Sequence, residues 1–251
     1  MNKWTVLVLL TLCSPTLWAA EYQATLQWSH RVELSTPVSG TVNAVNVDMG
    51  DNVTRGQALL SLDSTMFTAT VEQGRAETTR LKAETEEDKR DLNRVRELHE
   101  RTVASTAELD QAELTEIKSS TMLAEAQARL TKSQKSLDDT ILRAPFDGIV
   151  IARQVEPGQT VAAQLQPKTL LVLAKSGEMI ARIPVAISDL DKFKIGQVVK
   201  VTVSKVQYGG KVKTLGLEPL ASKDGPVYLA DVLFSTKDSL RAGSSAMVTV
   251  P

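Results

Sequence analysis

A hexapeptide near the start of this chain returns far downstream: Pro37-Val38-Ser39-Gly40-Thr41-Val42 is matched by Pro145-Phe146-Asp147-Gly148-Ile149-Val150. The two copies stay in phase. At the same offset Val47 meets Val155, Gly50 meets Gly158, and Val53 meets Val161. Between the copies runs a charged stretch, poor in Gly, whose composition favours helix. A repeat split in this way constrains the fold strongly. Two half-domains must meet in space while a helical insertion leaves and returns between them. Such an arrangement suits a scaffold that spans a distance better than it suits an enzyme.

The halves themselves read as strands and turns. Val32, Leu34, Val38, Val42, Val45, Val47 and Val53 come at short spacings, broken by Gly40, Gly50 and Gly56. Gly40, Gly50, Gly148 and Gly158 are expected at the turns of the two halves, where glycine is free to take positive φ. Asp63 or Ser64 is a plausible helix N-cap. From 65 to 100, Phe67, Val71, Thr78, Leu81, Leu92 and Val95 fall at coiled-coil spacing, interrupted by Thr85 and Asp88. A turn follows near Glu100–Ala104. Ser105-Thr106-Ala107-Glu108 has capping-box spacing and opens a second helix to about 138. There Leu109, Ala112, Leu123, Ala126, Leu130 and Leu137 face one way, alternating with small residues. Helices of this length extend roughly 50 Å at 1.5 Å per residue.

Beyond 178 the pattern changes to short alternating strands: Met179–Val185, Val198–Val203, Lys211–Leu217, Val227–Phe234 and Ala246–Val250. Turns are expected at Ile195-Gly196, Gly209-Gly210, Asp224-Gly225-Pro226 and Ala242-Gly243. Strands at this density predict a small antiparallel barrel, with residues 24–34 available to close it. The fold class is therefore mainly β with a long α-helical hairpin. The expected organisation is a signal peptide at 1–19, a first half-domain at 32–63 and a hairpin at 64–139 with its tip near 99–105. A second half-domain at 140–174 and a barrel at 175–251, joined by a strand from 21–34, complete it.

The N-terminus reads as a secretory signal: Lys3, an apolar run from Val6 to Leu12, then small residues up to Ala20. Cleavage after Ala19 is expected. The run is shorter than the ~20 residues that span a bilayer. Cys13 is the sole cysteine, and Leu12 before it argues against lipoprotein processing. It leaves with the signal, so disulfides and thiol chemistry are excluded from the mature chain. Hydrophobic residues make up 42%, charged residues 24%, and the formal net charge is −1. No basic face stands out, which argues against nucleic acid. His30 and His99 are far apart and read as surface residues, with no metal-ligand spacing around them. There is no phosphate-binding glycine loop and no Gly-x-Ser-x-Gly elbow. The carboxylates at 84–91 and 108–116 alternate with bases and read as a solvated helix face. No cofactor, metal or catalytic residue is expected.

The half-motifs resemble the split lipoyl, or barrel-sandwich hybrid, domain of periplasmic adaptors, also called membrane fusion proteins. The resemblance rests on Pro37-x-x-Gly40-x-Val42 with Gly50-Asp51-x-Val53-x-x-Gly56-Gln57-x-Leu59. It rests equally on Leu142-Arg143-Ala144-Pro145-Phe146-Asp147-Gly148-x-Val150 with Gly158-Gln159-x-Val161. It extends to the barrel through Gly196-Gln197-x-Val199 and Leu240-Arg241-x-Gly243. At the hairpin turn, Arg94, Leu98 and Ser105 match the spacing of the tip motif in adaptors of drug-efflux pumps. The resemblance implies that these three residues dock on a TolC-type outer-membrane channel. It also implies a resistance-nodulation-division transporter in the inner membrane as partner, self-association into a trimeric or hexameric ring, and a periplasmic location. An ATP-driven exporter or type I secretion system is the alternative partner. From chemistry alone the tip has a plainer reading: Ser105 as cap, Leu98 closing the hairpin, Arg94 solvated. Longer members carry a further membrane-proximal β-domain, whereas this sequence reaches Pro251 directly after the last expected barrel strand. A lipoyl or biotin carrier is the rival outside the adaptor class. It needs a lysine on a short hairpin, where this chain has residues 64–139.

Overall fold

The computed structural model describes residues 20–163, 168–222 and 225–251. The expected signal peptide and Cys13 lie outside these residues, as does Asp224 of one expected turn. In chain order the strands before the insertion are β1 (Ala20–Trp28), β2 (Arg31–Leu34), β3 (Gly40–Val45), β4 (Asn52–Val53) and β5 (Ala58–Leu62). Two helices follow, α1 (Thr65–Glu100) and α2 (Thr106–Asp138). Then come β6 (Ile141–Arg143), β7 (Gly148–Arg153), β8 (Thr160–Val161), β9 (Leu171–Lys175) and β10 (Glu178–Ala186). The chain ends with β11 (Val198–Val203), β12 (Val206–Leu215), β13 (Leu220–Ser222), β14 (Gly225–Ser235) and β15 (Ser245–Val250). These elements form two compact units, one of residues 31–174 and one of the described residues 20–30 with 175–251.

In the first unit two four-stranded sheets, β2-β9-β7-β4 and β6-β5-β3-β8, enclose one core. Leu59, Leu60, Val150, Leu170, Leu171 and Leu173 are fully buried there. The repeat explains how the sandwich closes, because each half completes itself with strands of the other. β4 of the first half pairs with β7 of the second, Val53 opposite Gly148. At the equivalent place β8 of the second half pairs with β3 of the first, Val161 opposite Gly40. The Gly50 N–H donates to Val150 O and the Gly158 N–H donates to Val42 O, each at 2.8 Å. Asp147 accepts from the Arg55 N–H at 2.7 Å. Ser39, its counterpart, accepts from the Ala163 N–H at 2.9 Å. The paired motif is therefore an exchange of hydrogen bonds between halves, which satisfies loop amides that the core would otherwise leave unpaired.

The four repeat glycines divide by role. Gly50 and Gly158 have φ of +100° and +84°, the left-handed region of a tight turn. Gly40 and Gly148 were expected in turns but open strands β3 and β7, and neither has positive φ. A Cβ on Gly148 would lie 2.4 Å from Ala174 O, so glycine is required there by close approach of backbone. At Gly40 the same atom would meet Leu62 at 3.4 Å, an ordinary contact.

The helical insertion leaves β5 and returns to β6, which are adjacent strands, Ser61 opposite Ile141. Asp63, rather than Ser64, satisfies the start of α1: its carboxylate accepts from the Thr65 N–H at 3.0 Å and the Thr65 hydroxyl at 2.7 Å. With Glu77 and Asp91 partly covered beside it, the seam of α1 takes Phe67, Val71, Gly74, Thr78, Leu81, Thr85, Asp88, Leu92, Val95 and His99. They step by four and three without a break. Thr85 and Asp88 thus continue the seam rather than interrupt it. On α2 the matching row is Leu109, Ala112, Glu116, Ser119, Leu123, Ala126, Leu130, Ser133 and Leu137. A Cβ at Gly74 would lie 3.2 Å from Leu130, so the one glycine of α1 sits where the helices approach closely.

In the second unit β10, β1, β15, β11, β12 and β14 form a six-stranded antiparallel barrel closed by β10 on β14. Its interior takes alternate residues of each strand: Met179, Ala181, Ile183 and Val185 from β10, and Ala230, Val232 and Phe234 from β14. Two expectations are corrected here. The segment 24–34 is not one closing strand. β1 enters the barrel, while Arg31–Leu34 pairs with β9 in the other unit. Gly209-Gly210 is not a turn. Both lie inside β12, opposite Lys200 and Val199. A Cβ on Gly210 would lie 2.7 Å from Val232, so this glycine makes room for the core. The reversal occurs instead at Ser204-Lys205, both with positive φ, the geometry of a two-residue hairpin turn.

Candidate functional site

The hairpin tip is assembled from the ends of both helices. At the C-terminus of α1 the Thr102 N–H donates to His99 O at 2.8 Å and the Val103 N–H to Leu98 O at 2.9 Å. These two bonds form a Schellman motif. Its left-handed position, normally glycine, is Thr102 with φ +60°. A β-branched residue there is strained, so the chain holds this turn against a local cost. Across the turn His99 Nδ1 lies 2.9 Å from Ala104 O. A carbonyl can only accept, so Nδ1 carries the proton in this contact. His99 is half-buried, and the expectation of a surface histidine is corrected: it ties the turn to α1.

Ser105 begins α2 through a complete capping box. Its hydroxyl accepts from the Glu108 N–H at 3.3 Å, and the Glu108 carboxylate accepts from the Ser105 N–H at 2.7 Å and hydroxyl at 2.9 Å. These bonds hold the Glu108 carboxyl below its ordinary range, the backbone N–H of Ser105 first and its hydroxyl second. Arg94 pairs with Asp91 one turn away, and its side chain is 69% exposed. Leu98 is 38% exposed. Asp91, Leu98 and Glu108 line one groove of about 350 Å³, together with Asp88, Val95 and Ala104. Of the three tip residues only Leu98 lines this groove; Arg94 and Ser105 stand outside it, bonded to Asp91 and Glu108 of its wall.

Two features of the tip escaped the sequence reading. Val103 is 71% exposed at the apex, an apolar residue within the turn. Its signal was an apolar residue among polar ones between Glu100 and Ser105. The left-handed Thr102 left no signal at all, since threonine is not a turn residue of that type. Among the described residues no group of His, Cys, Asp and Glu could hold a metal ion. No helix among them is long and apolar enough to cross a membrane.

The CzcB-like, barrel-sandwich hybrid domain family matches residues 30–174 of this chain. The chain belongs to that family. The match covers the swapped sandwich and the whole hairpin grown from it. Nodulation protein NolF of Rhizobium meliloti (strain 1021) is 32% identical over 173 residues, 69% of this chain and 46% of that protein. Macrolide export protein MacA of Yersinia pestis is 28% identical over 238 residues, 88% of this chain and 64% of that protein. The chain thus spans from about half to just under two thirds of the length of these curated relatives. Among solved structures, the membrane fusion protein Spr0693 of Streptococcus pneumoniae R6 superposes with a TM-score of 0.73. At 17% identity, covering 92% of this chain and 98% of that one, the likeness is one of fold.

Proposed function

We propose that this barrel-sandwich hybrid protein is a non-catalytic periplasmic adaptor of a tripartite efflux pump. It links an inner-membrane transporter of the resistance-nodulation-division type to a TolC-type outer-membrane channel. The observation that carries this reading is the tip. A hairpin roughly 50 Å long ends in a groove lined by Leu98, with Arg94 exposed beside it and Ser105 capping the helix that forms its other wall. The name of the MacA relative, an export protein, supports the same direction.

In this reading residues 1–19 direct export and are removed. Residues 31–63 and 140–174 form the split lipoyl domain, 64–139 the hairpin, and 175–251 the barrel together with β1. The sandwich and barrel work on the transporter side, and the tip engages the channel. Leu98 supplies an apolar knob, Arg94 exchanges Asp91 for a carboxylate of the channel, and Ser105 keeps the start of α2 in place. Each tip contact is small, so several copies in a trimeric or hexameric ring give a lasting grip by multivalency.

The test is a photoreactive residue at position 98 in intact cells, combined with Arg94→Asp. Capture of an outer-membrane channel by the first is expected, and at least a tenfold loss of drug resistance in the second with normal amounts of protein. Full resistance with Arg94→Asp, or capture restricted to other copies of the chain, sinks the docking role.

A further inference from the structure

Charge is divided unevenly between the two units. Residues 20–30 with 175–251 carry eleven Lys and Arg against eight Asp and Glu, whereas residues 31–174 carry seventeen against twenty-two. Part of the positive excess of the barrel is gathered in one place on its outer wall. Val198 of β11 stands opposite Lys211 of β12. Lys200 lies two residues on, on the same face of β11 as Val198. The Gly196 N–H donates to Val212 O at 2.8 Å and the Val212 N–H donates to Gln197 O at 2.9 Å, which fixes the turn of Lys194 and Ile195 against β12 beside Lys213. Two large aliphatic side chains thus face solvent, Ile195 at 71% and Val198 at 62%, among four exposed lysines. Among the described residues none of these four lysines forms an ion pair. Of the acids at this end of the barrel, Asp189 is taken by Lys192 at 2.7 Å. Glu21 lies across β15 from Lys200, two strand spacings or roughly 10 Å away. Asp191 and Glu218 are the others, and neither bonds to a lysine of the patch.

We propose that this patch is a binding surface for an anionic phospholipid bilayer, on which the barrel rests without crossing it. The inference goes beyond the adaptor role and needs neither transporter nor channel. Three observations favour this occupant. The first is the mixture of chemistries. A lysine stem lies along apolar surface while its ammonium group reaches outward. Ile195 and Val198 can enter the headgroup boundary while the lysines around them meet phosphates, the combination of apolar burial and charge by which peripheral elements hold to anionic lipid. An acidic protein surface would answer the lysines and leave the two aliphatic side chains against carboxylates. The second is the division of charge, since the acidic unit is repelled by the same surface and the barrel is the part that binds. The third is position. Ala20 pairs with Val250, and the neighbouring Thr249 pairs with both Glu21 and Lys200, so β1 begins at the end of the barrel that holds Val198. Residues 1–19, with the apolar run Val6–Leu12, join the barrel there. While that run is held in a membrane, the patch is brought to its surface. Leu217, 94% exposed just past β12, lies at this end too and adds a third apolar contact.

The test is cosedimentation of the purified mature chain, starting at Ala20, with vesicles of phosphatidylcholine alone or with about one third phosphatidylglycerol. Circular dichroism checks that each variant is folded. Binding to the anionic vesicles is expected to be at least about tenfold tighter than to the neutral ones, and to weaken as salt is raised. Lys211→Glu with Lys213→Glu should weaken it by at least about tenfold. Lys118→Glu with Lys132→Glu on α2 makes the same change in net charge and should alter it by no more than about twofold. Ile195→Ser with Val198→Ser should weaken binding several-fold while keeping its dependence on salt and on phosphatidylglycerol. Equal binding to both kinds of vesicle, no loss in the Lys211 and Lys213 variant, full binding by the serine variant, or an equal loss in the α2 control each overturns the proposal. Absence of binding to anionic vesicles overturns it as well and leaves an acidic protein surface as the occupant. The readout contains neither channel nor transporter. Vesicle binding through this patch while position 98 captures no channel defeats the docking role and keeps this surface.

Discussion

Leu59, Leu60, Leu170, Leu171 and Leu173 lie wholly inside the barrel-sandwich, while along α1 and α2 only Val71, Leu81, Leu92, Ser119 and Ala126 are buried. The two regions belong to one compact unit yet hold together differently. In the sandwich, residues far apart in sequence exchange strands and hydrogen bonds, so no half has a fold of its own. In the hairpin each heptad touches only its counterpart across the seam, and most of the surface faces water. The first arrangement opens as a whole. The second can open locally from its tip, since segments with few buried contacts have the lowest opening free energies. The proposed adaptor role would use both, a base that keeps its shape and an arm whose surface is free to meet partners.

The strongest way to break the contrast is to attack the exchange itself. In Gly148→Val the added side chain collides with the Ala174 carbonyl, 2.4 Å from the first new atom. Backbone cannot retreat as a side-chain end can, so the cost should lie at the upper end for overpacking, about 3 kcal/mol. The loss should appear as one cooperative transition at lower denaturant, with sandwich strands and helix roots lost together. An unchanged midpoint would contradict the role given to this glycine.

A smaller change sharpens the other side. Leu81 is 4% exposed in the seam. Leu81→Ala should cost about 2 kcal/mol, the lower end for a buried leucine, because the site is one layer thick and can relax. The effect should stay in the arm. Amide exchange quickens along α1 and α2 while β5 and β7 keep their protection. Equal acceleration in both regions would mean that hairpin and sandwich open as one.

The sequence was most legible where structure depends on spacing. The repeat announced two halves of one domain, and the heptad residues announced the paired helices. The Ser105–Glu108 box was legible because capping is a local bond between fixed positions. What stayed hidden depends on neighbours remote in sequence. Gly209-Gly210 has the composition of a turn, yet Gly210 is small because Val232 and Val201 leave no room for a Cβ. Residues 31–34 continue the alternation of the strand before them, and only the pairing of Arg31–Leu34 with β9 assigns them to the sandwich. At the tip, Leu98 was singled out by the resemblance to the adaptor tip motif, but the groove it shares with Asp91 and Glu108 needed both helices in place. His99 gave no sign of its bond to Ala104, because an isolated histidine in a charged helix reads the same whether it is solvated or tied down.

The smallest expected effect tests whether the tip opens on its own. Ser105→Ala removes the hydroxyl that accepts from the Glu108 amide and should cost about 1 kcal/mol of hairpin stability. It should leave the sandwich untouched. The same change has a signature in Glu108. Because its carboxyl is held below the ordinary value by the Ser105 N–H and then the hydroxyl, its stabilising effect is complete above the unfolded pKa of about 4.3. That effect is lost as pH falls through the lower, folded value. Removing the hydroxyl takes away the second cause and leaves the first, so an NMR titration of Glu108 in Ser105→Ala should move upward toward 4.3 without reaching it. A titration identical to wild type would mean that the box does not hold in solution. The turn would then depend on the His99–Ala104 contact and the Schellman bonds alone, and acid would loosen the tip no more than it loosens the sandwich.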